Sequence, residues 1–193
     1  MSPTTADTTN MSWSACRRRR KPIVARVCAS EGFTLLEVIF VAGVIMVLSG
    51  IAVPSLLRGR AAANETATIG TMRVIHTGEL TYTLTCGAGL YAASLPALAP
   101  GQFLPPDLTA NLTPMKSGYT YTLAEGPSGL TGLVDCNGAP LATDYYVTAT
   151  PLTLGTTGNR AFASNQAHVI WQNTAGTPPI EPFANAGTVS NVQ

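Results

Sequence analysis

The stretch Gly32-Phe33-Thr34-Leu35-Leu36-Glu37 leads without a break into an apolar run that ends at Leu57. The 25 residues from Phe33 to Leu57 include one charged side chain, that of Glu37. An α-helix rises about 1.5 Å per residue, so a helix of this length crosses a hydrocarbon core of about 30 Å. The stretch therefore predicts a membrane-spanning helix over residues 33–57.

Positive charge precedes the apolar run. Arg17, Arg18, Arg19, Arg20 and Lys21 are consecutive, and Arg26 follows them. Basic residues next to a membrane helix stay on the cytoplasmic side. We therefore expect a cytoplasmic N-terminus and an exported C-terminal part.

Glu37 is the exception in the apolar run. A carboxylate in a membrane helix costs about 2.5–3.5 kcal/mol on insertion scales, so it usually has a partner or a function. The run offers no basic residue before Arg58. The partner is then another chain, or the new α-amino group that a cut after Gly32 creates on Phe33. A side chain that reaches the lipid headgroups is the simpler alternative.

The motif Gly32-Phe33-Thr34-Leu35-Leu36-Glu37-Val38, between a basic segment and an apolar run, resembles the class III signal of the type IV pilin and pseudopilin family. The resemblance implies that a prepilin peptidase cuts between Gly32 and Phe33 and methylates Phe33. It gives Glu37 a role in assembly. It also implies that the helix loosens in filaments at Pro54, helped by Gly43 and Gly50.

Residues 1–32 are accordingly expected to be a leader that is removed. Translation from Met11 instead of Met1 shortens this leader to 22 residues and leaves the cut unchanged. A conventional signal peptide, cut after the apolar run near Ala63, is the alternative. The apolar run is too long for its hydrophobic region of about 7–15 residues, and it contains Glu37.

The charge of the chain divides at the predicted cut. The whole chain carries +1, with about +4 in residues 1–32 and about −3 in residues 33–193. The cytoplasmic location expected for the leader explains its positive charge, so we predict no nucleic-acid surface.

Four cysteines fall into two pairs. Cys16 and Cys28 belong to the leader, whereas Cys86 and Cys136 lie on the exported side, where oxidation is permitted. A disulfide between Cys86 and Cys136 is predicted; two unpaired thiols are the alternative. Neither has a second Cys or a His at ligand spacing, so no metal site is predicted.

The helical pattern continues beyond Leu57 into a soluble half, residues 58–85. Apolar residues recur there at spacings of three and four and predict one buried stripe: Ala62, Ile69, Met72, Ile75 and Leu80. The polar face is predicted to carry Arg60, Asn64, Glu65, Arg73 and His76. One helix over residues 34–84, ended by Cys86-Gly87-Ala88-Gly89, is the favoured prediction. Two helices broken at Pro54 remain the alternative.

The remainder predicts an antiparallel sheet. Residues 86–116 are rich in Gly and Pro and form a connecting loop. Alternating patterns then predict strands at 118–123, 130–134, 144–149, 160–164 and 167–171. The fold class is α+β and pilin-like: one long N-terminal helix packed on a four- or five-stranded antiparallel sheet at 117–172. A loose tail follows at 173–193.

Catalytic chemistry is not indicated. His76 and His168 are the two histidines of the chain and lack an acidic or cysteine companion at ligand spacing; both are expected on the surface. We predict neither an enzyme nor a cofactor.

The resemblance makes the chain a structural subunit of a type IV pilus-like filament. It implies four partners: other copies, other pilin-like subunits, the prepilin peptidase and an inner-membrane assembly platform. The subunit is then stored in the inner membrane and later forms a periplasmic or cell-surface filament. Two alternatives stay open: a type II secretion pseudopilin, and a membrane-anchored binding module that uses the Tyr-rich face of its strands.

Overall fold

The computed structural model of the protein describes residues 32–192. The leader up to residue 31, including Cys16 and Cys28, lies outside the described residues. Two compact units are present, one ending at Gly43 and the other beginning at Val44.

The first element is a single helix. Helix α1, Leu35–Thr85, is continuous over 51 residues and contains Pro54. The prediction of one long helix is therefore confirmed. At its end the backbone N–H groups of Cys86 and Gly87 donate to the Tyr82 carbonyl, at 2.9 and 2.8 Å. Ala88 and Gly89 then take φ values of +51° and +89°, which a right-handed helix does not contain.

The chain after α1 alternates short helical turns and strands. The predicted connecting loop contains a 3₁₀ turn, Leu95–Leu98, and a short helix α2, Pro106–Thr109. The strands are β1 Tyr91–Ala92, β2 Met115–Lys116, β3 Tyr119–Glu125, β4 Leu130–Val134, β5 Pro140–Ala142, β6 Tyr145–Pro151, β7 Ala161–Asn165, β8 Trp171–Asn173 and β9 Val189–Asn191.

These strands form two antiparallel sheets. The larger has six strands in the order β2-β3-β6-β7-β8-β9, and the smaller has three in the order β1-β5-β4. The α+β class and the antiparallel pairing are confirmed. The predicted strand at 130–134, however, is β4 of the smaller sheet and is not part of the sheet that contains the other predicted strands. The larger sheet exceeds four or five strands because short segments that carry no periodic signal, β2 and β9, extend it at both edges.

Two predictions about the C-terminal part are wrong. The predicted loose tail at 173–193 contributes β9, which pairs with β8. The last predicted strand, 167–171, is displaced, since β8 begins only at Trp171. The Asn165 side chain accepts a hydrogen bond from the Ala167 backbone N–H at 3.0 Å, and His168 has a φ of +60°. Both features form a turn where alternation alone predicted a strand.

The buried face of α1 differs from the predicted stripe. Met72 and Ile75 are fully buried as predicted, but Ala62 and Leu80 are exposed and Ile69 is half-buried. The face that contacts the rest of the unit includes many polar residues: Ala61, Glu65, Thr68, Thr71, Met72, Ile75, His76, Gly78, Glu79, Tyr82 and Thr83. Glu65 and His76, predicted on the polar surface, are buried. The Glu65 carboxylate pairs with Arg160, and the His76 ring stacks on His168, whereas His76 Nε2 has no hydrogen-bond partner among the described residues.

Glu65 joins the helix to the sheet. Its carboxylate accepts hydrogen bonds from Arg160 Nε at 2.8 Å and from the Asn159 backbone N–H at 2.7 Å, and Arg160 Nη2 lies 2.5 Å away. Arg160 Nη1 also donates to Gln172 Oε1 of β8 at 2.6 Å. In this pair Glu65 is buried, whereas the Arg160 side chain is 35% exposed, and the contact holds α1 against the start of β7. Loss of Arg160 would leave the Glu65 carboxylate buried without its charged partner, which is destabilising.

Glu79 and His76 lie one turn apart and are both buried. Burial raises the pKa of Glu79 to about 8, although a hydrogen bond from the Ala92 N–H to Glu79 Oε2 at 3.1 Å opposes the shift. Burial also lowers the pKa of His76 to about 4, assisted by the charges of His168 and Arg73. The His76 ring stacks on His168 at 5.1 Å between centroids. Both buried groups are therefore predominantly neutral near pH 7.

At Gly78 helix α1 lies very close to the loop that contains Phe103 and Leu104. A Cβ atom at Gly78 would lie 2.7 Å from Leu104 Cδ2 and 2.9 Å from the Phe103 carbonyl oxygen. The missing side chain thus permits a close contact.

The predicted disulfide between Cys86 and Cys136 is present, with its Cα atoms 5.2 Å apart. It fastens the end of α1 to the turn after β4. Beside it, the Tyr82 hydroxyl donates to Asp135 Oδ2 at 2.8 Å. The end of the helix is therefore held by a covalent bond and by a buried hydrogen bond.

Removing the disulfide should destabilise this unit without changing its fold. Because the bond closes a loop of about 50 residues, Cys136→Ala should lower the free energy of unfolding by about 2–4 kcal/mol. Urea unfolding of the detergent-solubilised chain, followed by near-UV circular dichroism, measures this change. Cys28→Ala in the same uncut chain is the matched control. Equal unfolding midpoints for both variants would contradict the expectation.

Acidification should destabilise the unit through His76. Its folded pKa lies below the ordinary value of 6.5, so the unfolded chain binds more protons between about pH 6.5 and 4. Through His76 alone, the free energy of unfolding falls by up to about 1.4 kcal/mol per pH unit across that window. Glu79 acts in the opposite direction, because its folded pKa of about 8 lies above the ordinary value of 4.5 and its protonation favours the folded state as the pH falls. His76→Gln removes only the first contribution, so thermal unfolding should show that it gains stability relative to the wild type between pH 7 and pH 4.5. Parallel curves for the two proteins would rule out this role.

Candidate assembly site at the start of the helix

The predicted cleavage site lies in front of helix α1. Gly32 and Phe33 precede the helix, and the Phe33 side chain is 81% exposed. The Glu37 backbone N–H donates to Thr34 Oγ1 at 3.2 Å and to the Thr34 carbonyl at 3.0 Å. Thr34 therefore caps the helix, and the peptide bond between Gly32 and Phe33 is outside regular structure.

Thr34 is a functional residue that the sequence analysis missed. The signal was present, since Thr-x-x-Glu before an apolar run is the pattern of a capping box. Glu37 occupies the third helical position of this pattern, where a negative charge also interacts favourably with the helix dipole. Glu37 thus has a local role in starting the helix, in addition to any intermolecular role.

The apolar half of α1 is exposed along its length. From Leu35 to Arg60 every residue is exposed except Ala42, which is half-buried. An 18-residue window of the helix has a mean hydropathy of 2.5 and no buried residue. By length and composition this helix is able to cross a membrane. Soluble monomers rarely expose an apolar surface of this size, so a membrane or another protein must cover it.

The three residues predicted to loosen the helix lie in this exposed half. A Cβ atom at Gly43 or Gly50 would meet no atom within 4 Å. Nothing in the described chain therefore requires glycine there for packing. Pro54 lies within the continuous helix. Loosening at Gly43, Gly50 and Pro54 remains a prediction.

Glu37 is exposed and forms no ion pair with another residue of the range 32–192. The two ion pairs of that range join Lys116 to Asp107 and Arg160 to Glu65, at 2.7 and 2.5 Å. A charged partner for Glu37 must therefore come from outside the described residues.

One cluster elsewhere has the composition of a metal site. Ligand atoms of Cys86, Asp135 and Cys136 lie within 4.8 Å of one another. The disulfide uses both sulfur atoms, so no thiolate is available. Burial opposes ionisation of Asp135, but hydrogen bonds from Tyr82, Ala139 and Asn137 outweigh it and lower the pKa of the carboxyl group. The cluster is a structural one that stabilises the disulfide-linked turn.

Comparison of the chain with models of protein families, with curated proteins and with solved structures gives no match. The case for a function therefore depends on the residues and geometry described above.

Proposed function

We propose that the chain is a structural subunit of a type IV pilus-like filament. The observation that carries the proposal is the exposed apolar half of α1, which begins at Leu35, two residues after Phe33, and contains Glu37 in its first turn. A prepilin peptidase cuts before Phe33 and methylates it. An inner-membrane assembly platform then moves the subunit from the membrane into the filament.

In the proposed function, the exposed apolar half of α1 is buried in two different environments, one before and one after assembly. Lipid covers it before assembly, since its length and hydropathy suit a bilayer. Other copies cover it after assembly. Burial of a Leu, Ile or Val side chain contributes about 1.5–3 kcal/mol relative to water, so a filament core of such helices is stable without lipid.

Glu37 supplies the alignment between copies. In an apolar environment an unpaired carboxylate is costly, whereas a carboxylate paired with an amine is tolerated. The cut creates a positive α-amino group on Phe33. A neighbouring copy places this amine against Glu37, and only the correct axial position neutralises both charges.

The N-terminus of the protein recovered from cells tests the processing step. Mass spectrometry of membrane and sheared surface fractions should find a chain that begins at methylated Phe33. Gly32→Leu, which enlarges the residue before the cut, should leave the leader attached. A wild-type chain that still carries residues 1–32 would contradict the proposal and indicate an anchored module. A chain that begins near Ala63 would indicate a secreted domain.

Substitution of Glu37 tests the pairing. Glu37→Val and Glu37→Gln should both be cut at Phe33, yet the yield of sheared filaments should fall at least about tenfold, as expected when about 1.4 kcal/mol of pairing is lost. Electron microscopy and immunoblotting of sheared material measure the yield. Asp107→Asn, which neutralises an exposed acid in α2, is the control. Normal filaments from Glu37→Gln would rule out charge pairing.

A further inference from the structure

A cleft lies at one end of the six-stranded sheet. Strands β3, β6, β7 and β8 all have an end there, because Glu125 pairs with Tyr145 and Tyr146 pairs with Asn165 in antiparallel register. The C-terminal segment around Phe183 forms the opposite wall. The main cavity measures about 590 Å³, and an adjoining cavity measures about 390 Å³.

Three aromatic rings line this cleft, which we call the acidic cleft. Phe183 stacks on Trp171 at 5.6 Å between centroids, with 21° between the ring planes, and lies 6.2 Å from Tyr146. All three side chains are half-buried. They thus form a preorganised aromatic wall that is open to solvent on one side.

Three carboxylates complete the lining. Glu125 is exposed at the end of β3, while Asp144 and Glu181 lie deeper. The Asp144 carboxylate accepts from the Ser128 backbone N–H at 3.2 Å, and Glu181 accepts from the Asn165 side chain. Both contacts are with uncharged donors. Among the described residues, the linings of the two cavities include no Lys, Arg or His, although His168 lies between the lining residues Ala167 and Val169. The lining side chains therefore carry a net negative charge.

The cations without an ion pair among residues 32–192 all lie on α1. Lys116 and Arg160 form the two ion pairs given above, which leaves Arg58, Arg60 and Arg73. Arg58 and Arg60 are exposed and follow directly on the apolar half of the helix. They are the basic counterpart of the acidic cleft.

The arginines lie far along α1 from the part of the helix that is next to the cleft. Glu65 contacts Arg160 at the start of β7, whereas His76 stacks on His168 in the turn after β7, next to the cleft. From Arg60 to His76 the helix advances about 24 Å, at 1.5 Å per residue. Arg58 and Arg60 therefore cannot reach the cleft of their own chain.

We propose that the acidic cleft binds the Arg58–Arg60 segment of a second copy of this chain. A guanidinium group is planar and stacks on aromatic rings, and it also forms paired hydrogen bonds with carboxylates. The cleft offers both kinds of partner. The inference rests on the proposed filament, because it specifies a contact between its subunits.

Because the acidic cleft and the Arg58–Arg60 segment are different surfaces of one chain, the proposed contact joins copies head to tail. Each bound pair leaves an empty cleft on one copy and free arginines on the other. Such a head-to-tail contact continues into a filament when it does not close into a ring. It adds a contact between the exported parts to the one between apolar helices.

Site-specific photo-crosslinking of the full-length chain in cells tests the contact. Gln166 is exposed and lines the cleft. Replaced by p-benzoylphenylalanine, it should give an adduct of two copies, mapped by mass spectrometry to the peptide that contains Arg58–Arg60. The same photo-reactive residue at Leu133, in the three-stranded sheet, is the control and should not label that peptide.

Charge reversal separates this contact from accidental proximity. Glu125→Lys and Arg58→Glu should each reduce the adduct about fivefold, the effect of losing one exposed ion pair, and their combination should restore it. Asn111→Lys and Arg73→Glu change the charge at exposed positions outside the cleft and outside the Arg58–Arg60 segment; they are the controls and should leave the yield unchanged. Glu125 and Arg58 are both exposed, so these variants should fold.

The outcomes distinguish a failure of the proposed cleft contact from a failure of the proposed filament function. No adduct, an adduct with a different protein, or a yield that Glu125→Lys does not change would overturn the proposed contact. The N-terminus of the same samples is determined in parallel. A start at Phe33 without the expected adduct rejects the cleft alone. The expected adduct from a chain that keeps residues 1–32 rejects the filament function instead.

Discussion

A single continuous helix faces two environments, and the rest of the structure depends on this constraint. Up to Arg60 the exposed side chains of α1 are almost all apolar, whereas from Ala61 onward even the buried face contains Glu, His and Thr. A second half as apolar as the first would also have the composition of a membrane helix. Buried polar groups give the second half a different character, because the Glu65 carboxylate and one oxygen of Glu79 accept hydrogen bonds from the rest of the unit that lipid would not offer. The sequence of α1 thereby defines where the membrane-compatible part ends and the folded unit begins.

The sheet and its loops hold the soluble half of the helix at three positions along its length. Arg160 pairs with Glu65, the Ala92 backbone N–H donates to Glu79, and the disulfide fastens Cys86 just after the last turn. These positions are 14 and 7 residues apart, so they are distributed over roughly 30 Å of helix. Each contact involves a different element, namely β7, β1 and the turn after β4. The helix is consequently held along its soluble half rather than at one point.

The sequence predicted the features that depend on neighbouring residues. It did not predict those that depend on contacts between residues far apart in the chain. The long apolar helix, its end at the glycines after Thr85 and most strands follow from composition and period, and these predictions are confirmed. That the helix crosses a membrane remains a prediction. The burial of Glu65 and His76 depends on Arg160 and His168, which lie about 90 residues further along the chain, so helical periodicity assigned both to the surface. Strand β9 pairs through its backbone and has no periodic signal. Thr34, by contrast, was readable as a capping residue. Cleavage at Phe33, pairing of Glu37 and loosening at Gly43, Gly50 and Pro54 are intermolecular or dynamic events, so they remain predictions.

The short outer strands of the six-stranded sheet limit how copies of this chain meet. Strand β2 has two residues and β9 has three, so neither edge offers the long row of free backbone groups that recruits another strand. In the smaller sheet, β4 is longer, but its pairing is irregular between Leu130 and Val134, where Gly132 has a φ of +74°. In the filament that we propose, many copies lie close together, and sheets with long open edges could pair from chain to chain. Because the edge strands are short or irregular, copies of the chain associate through side-chain surfaces instead. Contacts between side chains can be specific and reversible.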